Sequence, residues 1–344
     1  MNIYITLDYE LFLGKKTGTP KNCLFRPMSA IMDMLDKTRT KLTVFVDGAY
    51  LYRMNELKDS YLSIQNDLND VVANIKEISD RGHSVQYHFH PQWLYSTYDE
   101  EKGWNMDLDH YKLSDVDKDK LSAAFRIGKE IIEKVVGKKL TAFRAGGYSL
   151  CSYAYYGRLF NDNGIKIDSS VLPGKMADSK FQVYDYRKTP SKSSYTFKED
   201  ICTEVNGNDG FLEIPISSIS DKLNISIWTN YLFLKIRKKM LIKSEPIIVY
   251  GDGLPVSSET SKGVVYWNII KNLLKRIVTV ASADSLGRDI FDVYSKMLKQ
   301  GRKELVIIGH PKSTTNVSID NLGRFIDEKL NSGDCFCTID TVFK

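Results

Sequence analysis

Short, almost wholly apolar segments alternate with amphipathic segments along this chain, and that alternation constrains the fold most strongly. Leu305–Ile308 has no polar side chain that could face water, as in strands buried on both faces of a parallel sheet. Asp119–Val136 carries apolar residues at three- to four-residue spacing and is followed by a glycine, which predicts a helix. Repeated alternation of this kind predicts an α/β fold, and the number of strands favours a distorted (β/α) barrel with parallel strands and outer helices.

The two kinds of segment divide the chain into predicted elements. Strands are predicted at Ile3–Leu7, Leu42–Val46, Val85–His88, Leu140–Phe143, Lys166–Asp168, Phe211–Ile214, Ile247–Tyr250, Ile277–Ala281 and Leu305–Ile308. Helices are predicted at Met28–Lys37, Leu68–Ile78, Asp119–Val136, Ser285–Lys299 and Ile319–Leu330. Because no repeat of fixed period and no low-complexity linker divides the chain, we expect one domain over residues 1–344, with rim insertions around residues 173–209 and 216–246.

Composition and charge exclude several classes of protein. The net charge of +5 is mild for 344 residues, and no basic block with interleaved aromatic residues points to nucleic acid. Five cysteines are an odd number, which favours reduced thiols, and Cys335–Cys337 reads better as alternation on a terminal strand than as a zinc knuckle. No signal peptide precedes the first strand and no apolar run approaches the ~20 residues of a membrane span, so a cytoplasmic protein is expected.

The segment 223–243 mixes aromatic side chains with lysines and an arginine. A solvated helix face is the ordinary interpretation of such a pattern. The alternative is an amphipathic peripheral helix that contacts a membrane or a phosphate group.

Two pairs of ligand-type side chains stand at the ends of predicted strands. His88 and His90 are two residues apart, so on a strand they share a face with their Cα atoms roughly 7 Å apart. Asp8 and Glu10 have the same spacing after the first strand. Two imidazoles and a carboxylate are the donors of a hydrolytic zinc site, so the histidines and an acid are candidate ligands of one ion. The same donors hold iron in oxygenases, but those sites usually lie on antiparallel barrels.

Three further residues with charged or titratable side chains also follow predicted strands. Arg144 follows Leu140–Phe143, Asp168 ends another strand, and His310 comes just after Leu305–Ile308. Active sites of such barrels lie at the carboxyl ends of the strands, so these residues should meet the acids and histidines at one rim. A lone charge after an apolar strand also needs a partner, so Arg144 is expected to be paired.

This order of motifs resembles the polysaccharide deacetylase family of carbohydrate esterases over nearly the whole chain. The segments that carry the resemblance are, in order, Thr6–Glu10, Gly82–Pro91, Phe143–Tyr148, Asp168–Ser170, Glu213–Pro215 and Ile307–Pro311. The resemblance implies a distorted (β/α) barrel and a metal-dependent hydrolase that removes an acyl group from an amino sugar.

The resemblance also implies how the acids and histidines divide their roles. Asp8 would be the catalytic base, and Arg144 would hold it ionised and oriented. Glu10 would bind one divalent ion together with His88 and His90, and zinc is the expected metal because of these donors.

The remaining roles concern the leaving group and the substrate. His310 would protonate the leaving amine, with Asp168 as a partner that keeps its imidazole charged. A backbone N–H near Tyr148 would help to stabilise the oxyanion. Since no signal peptide is expected, a nucleotide-linked or lipid-linked sugar precursor for surface polysaccharide is favoured over a finished wall polymer.

The chain departs from the family pattern at three places. The two acids of the first motif are separated by one residue, whereas many members have adjacent aspartates. The histidines are two apart instead of four, and Gln92 occupies the fourth position after His88. Gly146 and Gly147 replace the proline expected after the arginine. These departures leave two alternatives open, a glycan-binding relative without turnover and a hydrolase of a non-sugar amide such as a ureide.

Overall fold

The computed structural model describes residues 1–150, 152–207, 209–221, 246–255 and 277–342. Its strands are β1 (Asn2–Tyr9), β2 (Thr43–Asp47), β3 (Ser84–Phe89), β4 (Thr97–Asp99), β5 (Gly103–Asn105), β6 (Ala142–Ala145), β7 (Ile167–Asp168), β8 (Met176–Asp178), β9 (Val183–Asp185), β10 (Tyr195–Phe197), β11 (Phe211–Glu213), β12 (Ser218–Asp221), β13 (Ile277–Val280), β14 (Glu304–Gly309) and β15 (Cys335–Cys337). Its α-helices are α1 (Arg26–Asp36), α2 (Gly48–Leu57), α3 (Leu62–Asp80), α4 (Lys118–Val136), α5 (Tyr153–Asn163), α6 (Asp289–Lys299) and α7 (Asn316–Asn331).

The main sheet is curled, and its strands follow the order β10-β11-β7-β6-β3-β2-β1-β14, with β15 also paired to β1. Only β10 and β11 pair in antiparallel fashion; the other pairs are parallel. The segment after β11 joins the two ends of the curl, since the N–H of Ile216 donates to Val171 O and that of Ser217 donates to Val306 O. The predicted α/β barrel with outer helices is therefore confirmed.

The two faces of the sheet bury different sets of side chains. On β1, Ile3, Ile5 and Leu7 belong to the large core between sheet and helices, while Tyr4 points to the opposite side. A small second core fills the inside of the barrel with side chains drawn from many strands: Tyr4, Phe45, Ala142, Ile167, Ile214, Val306 and Ile339. Polar side chains replace these apolar ones towards the carboxyl ends of the strands, where Thr6 and Asp8 continue the inner face of β1.

Most predicted elements are found within a few residues, but one predicted strand is wrong and another lies outside the parallel sheet. Ile247–Tyr250 forms only an isolated bridge, from Val249 to Thr315. β13 pairs with β12 in a separate antiparallel ribbon, not in the parallel sheet. Helices α2 and α5 were not expected; α2 begins at a glycine directly after the buried strand β2, with the Asp47 side chain accepting from Ala49 N–H as its N-cap.

The expectations about membrane contact and about the terminal cysteines concern particular segments of the chain. The segment 223–243, for which a peripheral membrane contact was the alternative, lies outside the described residues. No helix in the described part of the chain combines the length and the apolar character that crossing a membrane requires. The terminal strand expected at Cys335–Cys337 is present as β15.

Helices α2 and α4 approach each other closely above strand β3. A Cβ atom at Gly128 would lie 2.4 Å from the carbonyl oxygen of Gly48 and 2.9 Å from the Tyr87 hydroxyl oxygen. That hydroxyl donates to Phe125 O at 2.7 Å, so it cannot move without losing a buried hydrogen bond. Glycine at position 128 therefore sets how near α4 can lie to the histidine-bearing strand.

We expect Gly128→Ala to destabilise the protein, although alanine has the better helix propensity. The added methyl group meets backbone, so the cost should be that of overpacking, about 1–3 kcal/mol in the free energy of unfolding. Gly323→Ala in α7 is the matched control, because its Cβ would meet only the Met34 side chain at 3.4 Å. That control should be stabilised by about 0.5–1 kcal/mol. Equal stability of both variants in denaturant unfolding would contradict the close approach.

Candidate metal and catalytic site

The carboxyl ends of β1, β2, β3, β6 and β14 meet at one rim, and their side chains form the candidate site. Asp8 ends β1 on the inner face, His88 lies near the end of β3, and Arg144 lies on β6. Glu10, His90 and His310 each follow their strand by one residue. Six residues expected from sequence to share a rim are thus brought together, and most of them are buried.

Glu10, His88 and His90 place three ligand atoms within 4.8 Å of one another. Glu10 Oε2 lies 3.1 Å from His88 Nε2 and pairs even more closely with His90 Nε2. The side chains are nearly inaccessible to solvent, with 8% exposure at most. Two imidazole nitrogens and a carboxylate oxygen are the donors that zinc prefers, so the residues present fit the divalent ion that the resemblance implies.

A hydrogen bond fixes which ring nitrogen of His88 faces the metal cluster. Its Nδ1–H donates to the carbonyl oxygen of Arg144 at 2.7 Å, which leaves Nε2 directed at Glu10. Burial disfavours the charged ring, yet the carboxylates of Asp8 and Glu10 raise the pKa of His88 to about 9. A metal ion bound here at neutral pH must therefore displace a proton from this ring.

Lys312 was missed from sequence, although it lies two residues after His310 and so repeats the spacing of the other pairs. Its buried ammonium donates to Glu10 Oε1 at 2.7 Å and to Leu11 O at 2.8 Å. Burial opposes ionisation of Glu10, but Lys312 and His90 outweigh it and hold the pKa of that carboxyl well below its usual range. Glu10 is therefore ionised, and only its Oε2 is left for an ion.

Asp47 is a second missed residue, and it supports the site without entering it. Its Oδ1 accepts from the backbone N–H of His90 at 3.1 Å, and its Oδ2 accepts from Trp93 Nε1–H at 2.9 Å. Burial raises the pKa of this carboxyl, although the neighbouring histidines oppose that effect. A charged residue at the end of an apolar strand is the signal that would have found it, as for Asp8.

A fully buried ion pair joins Asp8 to Arg144. Arg144 Nη1 donates to Asp8 Oδ1 at 2.8 Å and to Thr6 Oγ1 at 2.9 Å, and the guanidinium lies 4.3 Å from the Phe45 ring centroid. Its other donors bind Ser169, through the carbonyl at 2.8 Å and the hydroxyl at 3.0 Å. Arg144 is therefore paired, as its position after an apolar strand predicted. The second oxygen of Asp8, Oδ2, faces the cleft.

His310 faces this free oxygen from the other side of the site. Its Nε2 lies 3.8 Å from Asp8 Oδ2 and 3.9 Å from Glu10 Oε1, and its side chain is 23% exposed. Its Nδ1–H donates to Asp284 Oδ2 at 2.9 Å. Burial disfavours the imidazolium, but the hydrogen bond to Asp284 prevails and raises the pKa of His310.

The expectation that Asp168 partners His310 is wrong. Asp168 is the register partner of Phe143 on β6 and of Glu213 on β11, so it points to the helix side of the sheet, away from Arg144. Its carboxylate accepts from Ser170 N–H and Oγ–H. Burial and the charge of Asp168 raise the pKa of Glu213 well above its usual range, so Glu213 keeps a proton to share with Asp168.

Tyr148 lies beside the acids in a conformation that is rare for its residue type. Its φ is +63°, and Gly147 before it has φ +56°, a left-handed pair that costs a non-glycine residue about 1–2 kcal/mol. Burial and the negative charge of Asp8 raise the pKa of its phenol well above the usual range. A residue held in strain beside a reactive carboxylate is a candidate for a functional role. The oxyanion role predicted for a backbone N–H here stays a prediction.

A family model described as polysaccharide deacetylase matches residues 26–155, a range that holds His88, His90 and Arg144. A crystal structure described as a polysaccharide deacetylase from Mycobacterium smegmatis superposes with a TM-score of 0.52 at 13% identity, covering 99% of this chain and 88% of that one. This likeness shows the fold, and with the family model it confirms the family resemblance.

Two further solved structures are more distant. An allantoinase has a TM-score of 0.48 at 11% identity, with 99% of this chain and 88% of that chain covered. A pseudoenzyme of carbohydrate esterase family 4 from Bacillus anthracis has a TM-score of 0.42 at 10% identity, with 99% and 65% covered. Neither likeness is close enough to argue from. No curated protein sequence matches the chain.

The His88→Ala/His90→Ala double variant should lose its bound metal, because only Glu10 of the three converging donors remains. Elemental analysis after purification in excess zinc would measure the stoichiometry, with about one ion expected for the unaltered protein. His110→Ala is the control, since this partly exposed ring pairs with Asp107, outside the cluster. Unchanged zinc in the double variant would rule the site out.

Proposed function

We propose, from the match of residues 26–155 to the polysaccharide deacetylase family, that this chain is a metal-dependent N-deacylase. Its substrate would be an N-acetylated or N-formylated amino sugar, or the nucleotide- or lipid-linked precursor of one. The family supports a hydrolase acting on amide or ester linkages. The substrate class, the acyl group and the catalytic roles below are the proposal.

One observation carries the proposal more than any other. Asp8 Oδ2 and His310 Nε2 lie 3.8 Å apart and face each other across the edge of the Glu10, His88 and His90 cluster. Each of the two is held by a charged partner on its far side, Asp8 by Arg144 and His310 by Asp284. A base and an acid of opposite protonation state, fixed next to a set of metal donors, are the parts that amide hydrolysis needs.

Asp8 supplies the base. The Arg144 ion pair occupies Oδ1, so Oδ2 is left to take a proton from an attacking water. Glu10, His88 and His90 would hold the metal, which would supply Lewis acidity by lowering the pKa of a water to roughly 7 and polarising the amide carbonyl. Because Arg144 is itself fixed by four hydrogen bonds, Asp8 does not need to reorganise during the reaction.

His310 supplies the acid. An amine leaves an amide only after protonation, and His310 Nε2–H is the donor that faces the cleft. Asp284 accepts from the other ring nitrogen, which orients the ring and keeps it protonated at higher pH. Asp284 stays ionised because His310 and Ser282 overcome its burial and lower the pKa of the carboxyl.

The expected result of Asp8→Asn is loss of turnover without loss of metal. The amide oxygen can still accept from Arg144, and Glu10 and both histidines remain, so the ion should stay. Removing the base should lower the rate by roughly 10²–10⁴-fold, the usual contribution of a positioned proton-transfer group. The assay follows release of acetate or formate from N-acylated nucleotide-sugars and lipid-linked sugars by zinc-loaded protein. Full metal occupancy without acyl release by the unaltered protein across this panel would favour the glycan-binding alternative.

Asp284→Asn should change the pH profile more than the rate at its optimum. The acid must be protonated, so activity falls as pH rises through the pKa of His310. Because Asp284 raises that pKa, its loss should move the alkaline limb to lower pH. His310→Gln should remove the limb and lose more activity on amides than on activated esters, whose leaving groups need no proton. An unmoved limb in Asp284→Asn, or equal losses on both substrates, would show that His310 positions the substrate instead of protonating it.

A further inference from the structure

Two of the three departures from the family pattern meet at one side chain, the ring of His90. Gln92 Nε2 lies 3.4 Å from His90 Nδ1. On the opposite strand end, a Cβ atom at Gly146 would lie 2.7 Å from the same Nδ1 and 2.6 Å from Phe89 O. The ring therefore fills the space that any side chain at position 146 would need, and it does so against the residue that replaces the family's second histidine.

The orientation of the Gln92 amide is decided by its neighbours. The side chain is fully buried, and Oε1 has no hydrogen-bond partner among the described residues when Nε2 faces the imidazole. Exchanging the two amide atoms, which are nearly identical in shape, lets Oε1 accept from His90 Nδ1–H, the arrangement required when His90 Nε2 binds an ion.

The ring of His88 shows the same arrangement already complete. Its Nδ1–H donates to Arg144 O, so Nε2 is the nitrogen that faces Glu10. His90 Nε2 points at the same Glu10 oxygen, and its backbone N–H is fixed by Asp47. What the second histidine lacks is an acceptor for Nδ1–H, and Gln92 is the polar side chain within reach of that atom.

We propose that Gln92 is a positioning residue that accepts His90 Nδ1–H through Oε1 and so keeps the Nε2 lone pair of His90 available to a metal ion. The ligand has moved from position 92 to position 90, and the residue left at position 92 now supports it. Gly146 belongs to the same change because it makes room for the displaced ring. The inference rests on the metal site of the proposed function but not on any activity.

Two variants of Gln92 with similar shape separate a hydrogen-bond role from a packing role. Gln92→Met keeps the volume and removes the acceptor, so zinc affinity, measured by competition with a chelator, should fall about 10–100-fold. Gln92→Glu keeps an acceptor for Nδ1–H and should bind zinc as tightly as the unaltered protein or more tightly. Unaltered affinity in Gln92→Met, or equal loss in both variants, would overturn the proposal.

The hydrogen bond can be observed directly in zinc-loaded protein without substrate. In protein carrying ¹⁵N-labelled histidine, the His90 Nδ1–H proton should be visible and should exchange slowly with solvent. In Gln92→Met the same proton should exchange faster. Rapid exchange of this proton in the unaltered protein would overturn the proposal even if a variant failed to fold. If both readouts hold and no acyl group is released from any substrate, the proposed function fails while the role of Gln92 stands.

Discussion

One buried guanidinium organises both halves of the site. The side chain of Arg144 holds the carboxylate of Asp8, and its own carbonyl oxygen accepts from the ring of His88. The base and a metal ligand are therefore positioned by the same residue on β6. Removing one partner of a fully buried pair typically costs about 3–5 kcal/mol, because the other charge is left without water or a counter-ion. The pairing thus binds β1 and β6 together across β3 and β2, at the end of the barrel where the chemistry is proposed.

The balance of charge explains how so many acids can share this rim. Asp8 and Glu10 each have a buried cation, Arg144 and Lys312, bound to one oxygen and pointing away from the cleft. The second oxygen of each acid faces the cleft, towards His310 or the two histidines. The cations therefore reduce the repulsion between the two carboxylates and leave each with one free oxygen, one suited to a proton and the other to an ion.

Sequence reasoning found the barrel and its rim because period-two alternation and strand ends are local properties. Asp8, His88 and Arg144 could be found in this way, since each stands at the end of an apolar strand. Partners across the barrel could not be found, because they depend on register and on long-range contact. Asp284 follows β13, which pairs with β12, and it reaches His310 because Ser282 bridges Ile308 of β14, a long-range contact that the local sequence does not show.

The error over Asp168 has the same origin. Strand identity was predicted correctly, but its side was not, and a shift of one residue reverses the face. Phe143 and Asp168 are register partners on the helix side, whereas Arg144 and Ser169 meet on the inner side. Similarly, the role of Lys312 depends on the short 3-10 turn Pro311–Ser313, which brings its side chain back over the end of β1.

The proton held between Asp168 and Glu213 has a consequence for the assembly of the barrel. β7 has only two residues, so its backbone hydrogen bonds define its alignment poorly. The two carboxyl groups are direct register partners, and they can share a proton only in that alignment. A slip of one residue would separate them and leave a carboxyl group alone among Tyr156, Tyr186 and Tyr195. The carboxyl pair therefore specifies the alignment of this short strand. Because Ser169 directly follows Asp168, the correct alignment of β7 also positions the Ser169 groups that bind Arg144.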